Sequence, residues 1–284
     1  MYLKKFGCAC ALAMAAGSVC AHGPQMQVTA ADGKIVTRSI LNDVYEPLTS
    51  PKAVYVMEVL DYRGVWYARP ETVLNPPDHP TAPGQPVYYA GPGLAYGVDQ
   101  TFAVGSVLSV NFTDGLQLWN GNSFGDAGST ELQYYRGGSI GGDGQLINPT
   151  ASILTSDGSA SPALAFPAIA AGYDSDAHST ARLRFLGDGT TTAAGSGQQV
   201  GTVASEPADG VYLAAMVLSN SDSSVAASDP YYFVMHKGVP WSEVANAVGS
   251  LNVPNSAVQV LGVPEPSGIC LAVLLTLGMF ARRS

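Results

Sequence analysis

Val211-Tyr212-Leu213-Ala214-Ala215-Met216-Val217-Leu218-Ser219 is apolar on both of its alternating faces. A strand of that kind has hydrophobic material on either side, as the central strand of a packed sheet does. After a polar loop comes Pro230-Tyr231-Tyr232-Phe233-Val234-Met235-His236-Lys237, which pairs naturally with it. Outward from this pair the chain repeats the signature. Lys34 to Leu41 and Ala53 to Leu60 are rich in β-branched and aromatic residues, and Gly64 to Ala68 is a short aromatic strand. Thr101 to Phe112 alternates, and Asp114-Gly115 is placed to turn it back into Leu116 to Trp119. Ser129 to Arg136 and Ala181 to Leu186 complete the set, the latter carrying Leu183 and Phe185 between Arg182 and Arg184. Only Trp241 to Ser250 reads as a short helix, with Ser242 as its cap. Asn75 to Pro92 holds six prolines in 18 positions and reads as a loop or polyproline-like segment. Gly137 to Ser161 is Gly/Ser/Asp-rich and reads as a flexible link. Short strands without alternating long helices predict an all-β fold, an antiparallel β-sandwich over residues 22–262. Two β subdomains divided near residue 150 are the alternative.

The composition narrows the function classes. Of 284 residues, 46% are hydrophobic and 12% charged, against roughly 25% charged in an average soluble protein. Charge-driven disorder is excluded. The net charge is −9 and the chain has no basic footprint for nucleic acid, which sets that partner aside.

Both ends read as processing signals. Lys4 and Lys5 precede an apolar run from Phe6 to Ala16, too short to span a bilayer, and Val19-Cys20-Ala21 supplies a cleavage site. Residues 1–21 are thus a signal peptide, cut after Ala21 to leave His22 as the new terminus. A buried N-terminal helix and a lipoprotein attached at Cys20 are the competing readings. At the other end, Val263-Pro264-Glu265-Pro266-Ser267-Gly268 leads into an apolar run, Ile269 to Phe280, closed by Arg282-Arg283. The order of motif, single membrane helix and arginines resembles a PEP-CTERM sorting tail over residues 263–284. The resemblance implies a Gram-negative type of bacterium and an exosortase-type membrane protease that removes the tail. It also implies a transient anchor in the inner membrane, then release to the cell surface or extracellular matrix. The arginines suit a cytoplasmic end. A plain C-terminal membrane anchor is the alternative.

All four cysteines, Cys8, Cys10, Cys20 and Cys270, lie in the two end segments. A metal site in the remainder must use histidine, carboxylates, backbone or the new terminal amine. His178, in Tyr173-Asp174-Ser175-Asp176-Ala177-His178, places an imidazole beside two carboxylates ahead of a strand, a donor set suited to zinc. A solvated loop histidine is the bland reading of the same residues. His22 would offer imidazole and α-amine to one ion, the amine having a pKa of roughly 7.7–8.0. A frayed terminus is its alternative. His236 ends an apolar strand and is either a ligand at a sheet edge or a structural histidine. His79 lies in the proline-rich segment and is the weakest ligand.

His-Glu-x-x-His and P-loop motifs are missing from the sequence, so neither a zinc-protease nor a phosphate-loop signature stands out. Several further segments carry a resemblance. They are His22-Gly23-Pro24-Gln25, Gly64-Val65-Trp66-Tyr67-Ala68-Arg69-Pro70 and Gly91-Pro92-Gly93-Leu94-Ala95-Tyr96-Gly97. Arg184-Phe185-Leu186-Gly187-Asp188-Gly189, Asp209-Gly210-Val211-Tyr212-Leu213 and Ser228-Asp229-Pro230-Tyr231-Tyr232-Phe233-Val234 join them. Together with the tail, they resemble the PEP-CTERM proteins controlled by the zinc uptake regulator. That resemblance implies expression under zinc scarcity and a role in zinc acquisition or retention at the surface. The expected zinc site comprises His22 and His178, assisted by His236 and by Asp174 or Asp176. The alternatives are a matrix protein associated with extracellular polysaccharide and, last, a metal-dependent enzyme.

Overall fold

The computed structural model describes most of residues 25–261. Residues 75–85, 141–145, 155–162, 172–180 and 187–205, several shorter stretches, and everything before 25 and after 261 lie outside the described residues. The chain opens with an antiparallel hairpin, β1 (Gln25–Ala31) and β2 (Lys34–Leu41). Its two-residue turn, Asp32-Gly33, has positive φ at both positions, 51° and 74°. That geometry matches the twist of the strands, and Asp-Gly adopts it at little cost. The short β3 (Val44–Tyr45) follows, then β4 (Val54–Tyr62), β5 (Val65–Ala68) and β6 (Pro70–Leu74). Next come β7 (Pro86–Ala90), β8 (Gly93–Tyr96), β9 (Leu108–Phe112) and β10 (Gln117–Trp119). β11 (Phe124–Asp126), β12 (Glu131–Arg136), β13 (Ser139–Ile140) and β14 (Leu146–Ile147) lead to β15 (Thr150–Leu154). The last part holds β16 (Leu164–Ala165), β17 (Ala181–Leu186), β18 (Gly210–Asn220), β19 (Tyr231–Lys237), helix α1 (Trp241–Ser250) and β20 (Val258–Leu261).

Two main sheets result. The smaller has the order β3-β2-β1-β8. The larger runs β11-β10-β18-β19-β4-β5-β17-β12-β15, with β9 also on β18 and β20 also on β4. Met26, Val28, Ile35 and Leu94 of the small sheet share one buried cluster with Tyr55, Met57, Tyr212 and Phe233 of the large one. The double-sided apolarity of β18 has its expected cause. Tyr212, Ala214, Met216 and Leu218 enter that cluster, while Val211 and Leu213 enter a second one under α1.

The pairing is mixed, which corrects the wholly antiparallel expectation. β1 runs parallel to β8, and β19 and β20 both run parallel to β4, one on each side. Parallel neighbours need a crossover connection, and α1 supplies it between β19 and β20. Its Val244, Ala247 and Val248, spaced as one helical face, join Val54, Val56 and Val234 beneath them. The helix is preceded by Pro240, with no side-chain cap, so Ser242 does not act as expected.

Three further expectations change. Asp114-Gly115 does not make a hairpin, because β9 and β10 lie in sequence along one edge of β18. Residues 113–116 stand opposite only Ala214 and Ala215, a bulge that keeps the chain running in the same direction. Within the proline-rich segment, Pro86–Ala90 is strand β7, paired with β6; its single proline sits at the first strand position, where a missing donor is tolerated. Within Gly137 to Ser161, β13, β14 and β15 are all strands, and β15 pairs with β12 in the large sheet from residue 150 onward.

Candidate functional site

Of the sequence-predicted ligands, His236 lies among the described residues. His22, Asp174, Asp176 and His178 fall outside them, as do Ala21, Pro264, Glu265, Pro266, Arg282 and Arg283. Among the described residues, no group of three or more His, Cys, Asp or Glu side chains is placed to hold a metal ion. Nor is any described helix long and apolar enough to cross a membrane.

His236 stands on β19 between Val211 of β18 and Glu58 of β4. It is 5% exposed and its ring meets Trp241, the first residue of α1, at 4.6 Å between centroids. Its Nε2 has no hydrogen-bond partner. Burial lowers its pKa to about 4, so the ring is neutral at neutral pH. A neutral imidazole is the ligand form, but here Trp241 closes over it.

Lys237, one residue on, points to the opposite face. Its ammonium reaches Asp209 at 2.5 Å and Glu206 at 2.8 Å, and lies 4.8 Å from the Trp66 ring centroid. This cation is fully partnered and structural.

The sheet carries a second polar group that sequence reasoning missed. The register sets Gln133 of β12, Arg184 of β17 and Tyr67 of β5 in one row across three strands. Glu131 and Tyr135 flank Gln133 at i−2 and i+2, on the same face. Arg184 is 0% exposed. It donates Nε–H to Gln133 Oε1 at 2.5 Å, but Nη1 and Nη2 have no hydrogen-bond partner. Burial lowers the guanidinium pKa, against which the phenols of Tyr67 and Tyr135 favour the charged form. Tyr67 lies against the guanidinium, and its phenol favours the charged form. Glu131 is also buried, its Oε2 lacks a partner, and burial raises its pKa. In the sequence these residues stand in two alternations, Arg182-Leu183-Arg184-Phe185 and Glu131-Leu132-Gln133-Tyr134-Tyr135, which give no sign of burial. Each reads as a strand with one apolar face and one solvent face. Arg184 and Gln133 are buried instead.

No known protein family matches the chain, and no curated protein matches it.

Proposed function

We propose that the chain is an exported β-domain of the cell surface or extracellular matrix, delivered by its N-terminal segment and sorted through its C-terminal tail. The observation that carries this reading is the order of signals in the sequence: Lys4-Lys5, an apolar run and Val19-Cys20-Ala21 at one end, and Pro264-Glu265-Pro266, an apolar run and Arg282-Arg283 at the other, on either side of a β-rich stretch that contains no cysteine. The exosortase-type protease is the first partner in this scheme. Expression of the full chain in a host that carries such a protease tests it. The expected product is an exported species that has lost the apolar C-terminal run, and Glu265→Ala should retain it. An intact chain held in the cytoplasm would overturn the reading.

The proposal includes zinc retention, with His22 and His178 as ligands and Asp174 or Asp176 assisting. His236 joins them only if Trp241 moves off its ring. The burial of His236 favours a second reading, a polysaccharide-associated matrix protein without a metal. Calorimetric titration of residues 22–262, starting at an authentic His22, separates the two, with copper and calcium as comparisons. One zinc site, lost in His178→Ala or when a residue is added ahead of His22, supports zinc retention. No zinc uptake leaves the matrix reading. No catalytic role is part of the proposal.

A further inference from the structure

Arg184 presents a problem of charge balance. Its guanidinium is fully buried, and no described carboxylate forms an ion pair with it. An arginine cannot shed its charge inside a protein. A buried charge is retained only where it is paired and hydrogen-bonded. Gln133 satisfies Nε, which leaves the four N–H groups of Nη1 and Nη2 without acceptors. Two of these, one on each nitrogen, lie parallel in the fork that fits a planar carboxylate through two bonds.

We propose that Arg184 anchors an internal anion site that takes one small monocarboxylate, oriented by Gln133 and bordered by Tyr67. The charge count selects the ligand. One buried cation is neutralised by one monoanion. Phosphate or sulfate would bring a second negative charge into a buried face that already holds the Glu131 carboxyl. The neutral Gln133 accepts from Nε and makes no bond to Nη1 or Nη2. The anion enters as β17 seats between β12 and β5 during folding, and exchanges through local opening of the β12–β15 end of the sheet. The inferred site rests on neither the zinc reading nor the export reading.

The test is thermal unfolding of the full chain with added formate or acetate, and chloride at matched ionic strength. Native mass spectrometry of the same samples counts bound anions. At about a hundredfold excess over Kd, carboxylate should raise Tm by roughly 5–10 °C, and chloride should not. The native spectrum should show one carboxylate per chain. Arg184→Met should lose both responses. Gln133→Leu should weaken carboxylate binding about tenfold or more while keeping one site. Wild-type protein that responds equally to chloride and carboxylate, or to neither, overturns the proposal, as does Arg184→Met that keeps the carboxylate response. Should Arg184→Met fail to fold, the wild-type titration and Gln133→Leu decide the question.

Discussion

The ring of His236 lies edge-on to that of Trp241, with centroids 4.6 Å apart and planes inclined at 60°. Burial there pulls the histidine pKa down to about 4, from 6.5 in the unfolded chain. Between those values the unfolded state binds a proton that the native state refuses. Stability associated with His236 is therefore whole above pH 6.5 and falls as the pH drops toward 4, below which the slope ends. The loss is on the order of 3 kcal/mol for a shift of this size. Replacing His236 with Phe should remove that slope. Relative to His236→Phe, the wild-type Tm should fall as the pH drops from 6.5 to 4. Parallel profiles would show that the native state admits the proton.

Phe233 is the meeting point of three aromatic rings. Tyr55, Tyr134 and Tyr231 each meet it edge-on, at 6.1, 5.8 and 5.5 Å between centroids. Tyr55 belongs to β4 and Tyr134 to β12, so the ring ties together strands far apart along the large sheet. Phe233→Ala should cost about 3–5 kcal/mol, through lost transfer energy and the cavity left behind. Phe233→Leu keeps most of the volume and loses the edge contacts, for about 1–2 kcal/mol. Urea unfolding midpoints at an unchanged m-value would measure both. A cost below about 1 kcal/mol for Phe233→Ala would mean the core collapses freely around that site.

Much of this fold is legible in the sequence, and the gaps have physical causes. The β18–β19 pair, β2, β4, β17 and α1 all stand where apolar patterning puts them, because each buries a face that its own alternation or helical spacing reveals. The parallel pairing of β19 and β20 with β4 is not local information, since it depends on where α1 carries the chain. Asp114-Gly115 has hairpin chemistry, yet Thr113 N–H donates to Ala215 carbonyl oxygen and keeps the segment on β18. Asp32-Gly33, with the same chemistry, does make a hairpin. A dipeptide alone therefore does not decide between turn and bulge. The His236 alternatives, edge ligand or structural ring, differ only in whether something covers the strand, and Trp241 does so from five residues away. Arg184 was illegible for the opposite reason: alternation marks its face as polar, and burial of a polar face leaves no local trace.

Gly238 is held in the left-handed region, φ 65°, where a Cβ would stand 2.3 Å from the Asp209 carboxyl carbon. The same carboxylate accepts a hydrogen bond from Lys237. Gly238→Ala therefore meets two penalties, backbone strain of about 1–2 kcal/mol and displacement of Asp209 from Lys237. In an Asp209→Ala background only the first should remain, so the glycine substitution should cost less there. A double-mutant cycle read by chemical unfolding gives the coupling directly. Equal costs in both backgrounds would show that Asp209 moves aside freely.

Asp99 fastens the segment after β8 to the small sheet. It accepts hydrogen bonds from Thr29 Oγ1, from Gln27 Nε2 at 3.4 Å and from Thr101 Oγ1 at 3.0 Å. Thr29 and Gln27 are fully buried in β1, so they depend on acceptors inside the protein. Gln27 also accepts a hydrogen bond from Arg38 Nε on β2, which fixes the orientation of its amide. Asp99→Ala strips an acceptor from two buried donors and should cost roughly 1–3 kcal/mol. Removing both partners of a hydrogen bond is cheaper than removing one, so the same change in a Thr29→Val background should cost less. Amide exchange supplies the local readout. Protection in β1 and at Ala30, whose N–H donates to Thr101 Oγ1, should fall in Asp99→Ala, while β18 and β19 keep theirs. A uniform loss of protection across both sheets would instead mean that Asp99 supports the whole fold, with the small sheet unfolding only as part of it.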